Sequence, residues 1–295
     1  MKRLRIFATG FGFPAFLLMP VFSFQSELLT PQIAASSALR MVVGLQGVSL
    51  LVKNNSKILA LKSWQISGTD KGFQSVDSEL RRIFGSEQLL ELPFDSKICA
   101  LSSPASTLVP RRLFHKQNLG QYFKLLLRTE GERTYGFEKL EEFDCYLVWA
   151  AESGLANLCG QYFSGENIRH LAAPLLVAFQ RLAPEEGYAV FANLRGQKLQ
   201  IAVFERKNLV YFNAFDFTKP ADLLYFILLA YKQFDLSPLE IPLTLSGTML
   251  EDSDIFRLLL RYVRPMRFPP LPEGFQWPDE AKALPSHYWF DLATV

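Results

Sequence analysis

Cysteine and histidine are scarce in this chain, three of each in 295 residues, and neither is spaced for chemistry. Cys99, Cys145 and Cys159 are scattered and odd in number, with no Cys-x-x-Cys spacing, which argues against a disulfide framework and against a zinc site. They read as reduced core thiols in a cytosolic protein. His115, His170 and His287 lie far apart and form no i, i+4 pair on one helix, so no histidine metal site is expected. A Gly-x-Ser-x-Gly nucleophile elbow is also missing. Charge of either sign is not in excess. The 31 basic and 29 acidic residues leave a net +2, so no global field draws the chain onto nucleic acid or an anionic membrane, and no nucleic-acid partner is expected.

Only one long apolar run is present, at residues 6–24, behind the basic cluster Lys2, Arg3 and Arg5. That layout resembles a signal peptide, but Pro14 and Pro20 interrupt the run and no small-x-small cleavage site follows. The run is also at the short limit for a bilayer core of roughly 30 Å. It reads in three ways: a non-structural extension, a signal or anchor, or a packed segment. A membrane is expected as a partner only if residues 1–24 are an anchor. A cytoplasmic location is the main expectation, with export or anchoring as the alternative.

What is present describes a packed α/β protein. Hydrophobic residues make up 49% and charged residues 20%, with 26 Phe, a composition for a buried core. The length accommodates either one large domain or two units of about 150 residues. A similar pattern of strands and helices runs through residues 41–103 and again through residues 188–263. In the first copy, residues 41–52 predict strand, tight turn and strand. Asn54 and Asn55 supply the next turn, and residues 58–64 continue the meander. Val76, Leu80, Ile83 and Phe84 share one helical face, and residues 97–101 form a short buried strand. A helix is expected near residues 119–127, a strand pair over 134–141 and 144–150, and a helix over 168–182 that Pro174 would kink. The second copy has strands at 188–193, 199–204 and 208–215, a helix over 219–234, a strand at 241–245 and a helix over 254–263 capped by Asp252 or Ser253. Residues 265–285 are rich in proline and aromatics. They read as a tail wrapped over the domain, or as a Pro-x-x-Pro ligand through Pro269 and Pro272.

Three strands in a meander followed by helix, strand and helix resemble a ribonuclease H-like unit, and two in tandem resemble the actin-like ATPase fold. The second half resembles PilM-like pilus-assembly proteins, and it is also similar to a bacteroidete family known as domain of unknown function 3822. The residues that carry them are Asn213 to Phe215, Asp222 to Leu228, Leu245 to Gly247, Leu260 to Val263 and the closing His287 to Leu292, with Ser106 to Phe114 in the first half. The resemblance covers residue 27 to the end. It divides the chain into an extension at 1–26, a first unit at 27–183 with the inserted strand pair, and a second unit at 184–295 with the proline and aromatic tail.

The resemblance implies two phosphate loops, each an acidic, glycine-rich hairpin in which the carboxylate handles magnesium and glycine N–H groups approach phosphate. Here Gln46 stands at the acidic position beside Gly47, and Asn193 stands there beside Gly196. An amide brings no negative charge, so magnesium would be held weakly. Gly247 would be either a contact beside the adenosine or a plain turn residue. Gln46, Gly47, Asn193, Gly196 and Gly247 are therefore the candidate pocket, with no catalytic residue, no metal ligand and at most weak binding of ATP with magnesium. A ribonuclease H-type nuclease would need carboxylates in the first strand, and neither 41–44 nor 188–193 has one. Arg257, Arg261 and Arg264 align along the last helix, with Arg267 beyond. They form either a grip for phosphate or an acidic partner segment, or a solvated face. The expected function is a non-catalytic binding or scaffold module for a protein or peptide, and the alternative is a weak nucleotide-dependent switch.

Overall fold

Apolar alternation and tight turns build two mixed sheets. The computed structural model describes residues 19–66, 73–103, 105–124, 131–250 and 253–295. The expected signal or anchor at the N-terminus falls mostly on residues outside that set, as does the Asp252 cap.

The first sheet contains β1 (Phe22–Gln25), β2 (Ala38–Gly44), β3 (Gly47–Asn54), β4 (Lys57–Gln65), β5 (Ser96–Leu101) and β9 (Ile168–His170), in the order β1-β4-β3-β2-β5-β9. The meander β2-β3-β4 is antiparallel, and β5 and β9 add parallel to β2. The second sheet repeats this with β10 (Tyr188–Arg195), β11 (Lys198–Glu205), β12 (Asn208–Asp216), β13 (Leu243–Gly247) and β14 (Met266–Arg267), in the order β12-β11-β10-β13-β14. In both sheets the first strand of the meander is central, the second and third lie on one side, and two parallel strands lie on the other. That is the duplication expected from the sequence.

A third sheet, β6 (Ser106–Pro110), β7 (Arg133–Leu140) and β8 (Cys145–Glu152), is inserted between β5 and β9. The expected strand pair is thus two-thirds of a three-stranded sheet. Phe22 to Gln25, within the expected extension, pair antiparallel with β4.

Helices cover the sheets according to their apolar faces. α2 (Phe73–Ser86) buries Val76, Leu80, Ile83 and Phe84 on the first sheet beside α3 (Ser153–Gly160), a helix the sequence reading missed. α5 (Pro220–Gln233) buries Leu223, Ile227 and Tyr231 on the outer face of the second sheet beside α6 (Asp254–Tyr262). Asp222 fixes the start of α5 by accepting from the Lys219 N–H at 3.0 Å, and the Ser253 hydroxyl caps α6 from the Phe256 N–H at 3.3 Å.

Two expectations fail here for local reasons. Residues 168–170 are strand β9, and the helix is α4 (Ala172–Leu182), which puts Pro174 in the first turn, where its missing N–H has no helical partner to lose and no kink follows. In place of a helix over 119–127, residues Lys116–Phe123 form 3-10 turns ending at Lys124, and residues 125–127 are outside the described residues.

The chain closes on α7 (His287–Thr294), which lies between the two large sheets next to α4. Helical spacing sends Tyr288, Trp289 and Leu292 into the face of the first sheet and Phe290 into that of the second. All four are nearly or fully buried, and each gains roughly 1.5–3 kcal/mol from burial. Trp289 meets Phe22 edge-on at 5.0 Å, while Phe290 stacks with Phe179 of α4 at 6.1 Å.

Candidate functional site

The first candidate loop is the turn joining β2 to β3, where Gly44 pairs with Gly47 and Leu45 and Gln46 form the bend. Gly47 has no side chain because the Trp64 carbonyl oxygen lies 2.9 Å from where its Cβ would be. The second loop is the turn joining β10 to β11 at Gly196 and Gln197. These turns face each other and touch. The Gln46 Nε2 donates to Gln197 Oε1 at 2.7 Å, and the Gln197 backbone N–H donates back to Gln46 Oε1. Gly196, at φ +57°, makes room for this, since Gln46 Oε1 sits 2.1 Å from the position of its absent Cβ. The amide at the first acidic position is therefore spent on the opposite loop.

Asn193, at the second acidic position, is also spent within the chain. Its Oδ1 accepts from the Ser246 hydroxyl at 2.8 Å, and its Nδ2 donates to Asp291 Oδ2 of α7 at 3.2 Å. Register explains the first bond, because Asn193 pairs with Ser246 across the parallel strands β10 and β13. Asp291 is completely buried and is gripped by Arg195, whose Nε and Nη2 donate to the two carboxylate oxygens at 2.6 and 2.8 Å. The third guanidinium nitrogen, Nη1, donates to Ser49 Oγ of β3 at 3.1 Å. Ser49 lies 3.2 Å from Ser63 Oγ, which in turn lies 3.0 Å from the Tyr288 hydroxyl. One polar network thus runs from β13 through β10 and α7 into β3 and β4. At the entrance of α7, the His287 Nε2 donates to the Met249 carbonyl at 2.8 Å, and its ring stacks on Phe268 at 4.1 Å.

Gly247 lies against this network. At φ +100° its missing Cβ leaves space for the Leu194 carbonyl oxygen, 2.0 Å from the position a side chain would take. The Thr248 N–H donates to that same oxygen at 2.8 Å. Gln46, Gly47, Asn193, Gly196 and Gly247 therefore gather in one region. The sequence reading missed Arg195, Gln197, Ser246 and Asp291. Asp291 carried a usable signal, a single acid in the apolar run from Tyr288 to Leu292 whose burial would demand a cationic partner.

The arginine stripe lies elsewhere and is broken by the end of the helix, since Arg257 and Arg261 are on the exposed side of α6 while Arg264 follows its C-cap Val263. Arg257 pairs with Asp254 at 2.8 Å, and the Arg264 Nε donates to the Leu260 carbonyl at 3.0 Å. Arg257 and Arg261 border a surface cavity of about 280 Å³ with Pro220, Asp254 and Leu258. Among the described residues, no three His, Cys, Asp or Glu side chains converge as metal ligands would, and no helix is long and apolar enough to cross a membrane.

No curated protein matches the sequence. Among solved structures, the chain is similar to a Bacteroides thetaiotaomicron protein with actin-like ATPase fold and unknown function, at 16% identity and a TM-score of 0.71, over 82% of this chain and 94% of that one. It is also similar to a chain of the PilM-PilN type IV pilus biogenesis complex, at 13% identity and a TM-score of 0.56, over 87% of this chain and 96% of that one. At such identities the likeness shows the fold alone, and the fold is that of the actin-like ATPases. Residues 26–266 match the model of the family described as Protein of unknown function (DUF3822), well over half of the sequence, and the chain belongs to that family.

Proposed function

We propose that this protein is a non-catalytic binding or scaffold module that engages a protein or peptide partner, with a cleft that its own residues fill where a nucleotide would otherwise sit. The observation that carries this reading is the fate of the two amides at the acidic positions. Gln46 is bonded to Gln197 and Asn193 to Asp291 and Ser246, so neither is left to hold magnesium-bound water. The Arg195 guanidinium, the cation in this network, is already paired with Asp291. A protein partner is the reading favoured by the PilM neighbour, which is part of a complex with PilN. A cytoplasmic location accompanies this proposal.

Calorimetric titration of the full chain with ATP and magnesium tests it. The proposal expects no saturable heat at millimolar nucleotide. A dissociation constant in the micromolar range, about −8 kcal/mol, would replace it with the nucleotide-switch alternative.

A further inference from the structure

A sheet edge presents a row of unused backbone donors and acceptors, and proteins guard such edges with charge, proline or brevity. Among the described residues most edges are guarded. β1, β9 and β14 have four, three and two residues, β6 ends on Pro110, and β7 carries Arg133, Glu138 and Lys139. β12 differs, being nine residues long, free of proline, and charged at its last position, Asp216, alone. The internal duplication sharpens the contrast. The third strand of the first meander, β4, has its outer edge covered by β1, whereas β12, the third strand of the second, pairs with β11 alone among the described residues.

Register identifies the open groups. The Phe217 N–H donates to the Gln197 carbonyl at 3.0 Å. Bonded and non-bonded pairs alternate along an antiparallel ladder, so Tyr211, Asn213 and Phe215 bond to β11 while Phe212, Ala214 and Asp216 turn their backbone groups outward. The bulge, at Val203 and Phe204 of β11, lies beyond this regular stretch. The outward Ala214 N–H is met by Oδ1 of the preceding Asn213 at 2.9 Å, a local bond that a strand alongside would replace. β6 comes near the inner face of β12, where Leu108 and Phe212 join one apolar cluster, but does not pair with it. The outer face of the edge has an aromatic rim. Phe215 stacks on Phe226 of α5 at 4.1 Å, Phe226 meets Tyr225 at 5.6 Å, and Tyr225 is 61% exposed.

We propose that β12 is a dimerisation edge, pairing antiparallel with β12 of a second copy of this chain so that the two second sheets join into one. The charge pattern selects a second copy as the occupant. Because Asp216 is the single charge, self-pairing centred on residue 212, 213 or 214 opposes no like charges, and each copy supplies the backbone groups that the other leaves open. A two-fold axis normal to the sheet keeps both α5 helices on one face and brings the two aromatic rims together. The inference does not rest on the closed cleft.

Sedimentation equilibrium of the full chain from about 1 to about 100 μM tests it, with a monomer-dimer dissociation constant of about 10 μM or tighter expected. Hydrogen exchange in peptides covering Asn208–Asp216 should slow as the concentration rises. Tyr225→Lys, at an exposed side chain, and Ala214→Pro, which removes an outward N–H and no bond to β11, should each raise the dissociation constant at least about tenfold. Thermal melting checks that each variant is folded, and Tyr225→Lys carries the test if Ala214→Pro is not. Leu28→Lys, at an exposed side chain beside the first sheet, should leave the dimer intact. A chain still monomeric at about 100 μM, which would leave the edge to a strand of another protein, overturns the proposal. So does a dimer of unchanged affinity in Tyr225→Lys, association that leaves exchange over Asn208–Asp216 unaltered, or a dimer lost with Leu28→Lys alone.

Discussion

Arg195 and Asp291, 96 residues apart in sequence, form a two-point ion pair of 2.6 and 2.8 Å between the end of β10 and the middle of α7, with the carboxylate completely sealed from water. Such a pair contributes modestly when whole, but removing one partner leaves a buried charge stranded. Asp291→Ala or Arg195→Ala should each cost about 3–5 kcal/mol in urea or guanidinium unfolding, whereas Arg195→Met with Asp291→Leu should cost clearly less than the sum. Additive losses would mean that the two groups are not coupled.

Placing acid at Asn193 should damage the protein instead of creating a magnesium site. The Asn193 Nδ2 lies 3.2 Å from Asp291 Oδ2, so Asn193→Asp would set two carboxylates against each other without water. A loss of about 2 kcal/mol or more is expected, with recovery of most of it when Asp291→Asn is added. Stability unchanged in the single variant would contradict the geometry.

Gly247 and Gly196 both have positive φ yet should respond differently to alanine. At Gly247 the obstacle is the Leu194 backbone oxygen, which cannot step aside, and the expected cost exceeds about 3 kcal/mol. At Gly196 the obstacle is the Gln46 side chain from its Oε1, 2.1 Å from the position of the absent Cβ, back to its own Cβ at 2.7 Å. Gly196→Ala should cost the left-handed backbone penalty of roughly 1–2 kcal/mol plus the lost Gln46 to Gln197 clasp. In a Gln46→Gly background, which removes the Cβ 2.7 Å away as well as the amide, only the backbone penalty should remain, a difference that a double-mutant cycle measures.

Two neighbouring residues at the junction of β7 and β9 should give opposite pH dependences. Burial pushes the Glu138 carboxyl up to about 7, and burial pushes His170 down to about 4, its neutral ring donating from Nε2 to the Ser103 carbonyl at 2.8 Å and accepting at Nδ1 from the Ala172 N–H at 3.2 Å. With its affinity for a proton raised, Glu138 stabilises the fold below the ordinary carboxylate range, and that contribution disappears as pH rises through about 7. His170 does the reverse, since its neutral form supports the fold above the ordinary imidazole range and support is lost as pH falls through about 4. Glu138→Gln, which keeps an acceptor for the His170 N–H, should therefore gain roughly 1–3 kcal/mol at mildly alkaline pH and nothing in acid, flattening the urea-measured profile above the carboxylate range. An unchanged slope would show that Glu138 titrates normally.

The sheets were legible in the sequence because each meander is a run of short apolar strands with turn residues between them, a signal that needs only neighbours. Gly44 and Gly47, Asn55 at φ 50° and the hairpin at Gly196 marked their turns correctly. The helix at 168–182 failed because Ile168 to His170 form an apolar-polar strand too short for periodicity to separate from the helix that follows. The gathering of Gln46, Asn193 and Gly247 followed from the fold resemblance. What closes that region did not, since Arg195 meets Asp291 only after the rest of the second sheet and the proline-rich tail, which separate them in sequence, have folded. No local spacing encodes a partner 96 residues away.

The most direct test of the account is hydrogen exchange of the full chain, followed by mass spectrometry in peptides covering α7 and the β10–β11 turn, with and without ATP and magnesium. If α7 and the Gln46 to Gln197 clasp hold the cleft shut, both segments will exchange as slowly as β10 to β12, and nucleotide will change nothing. Rapid exchange in α7, or new protection at residues 44–47 and 193–197 on adding nucleotide, would show a cleft that opens and binds, contradicting the account.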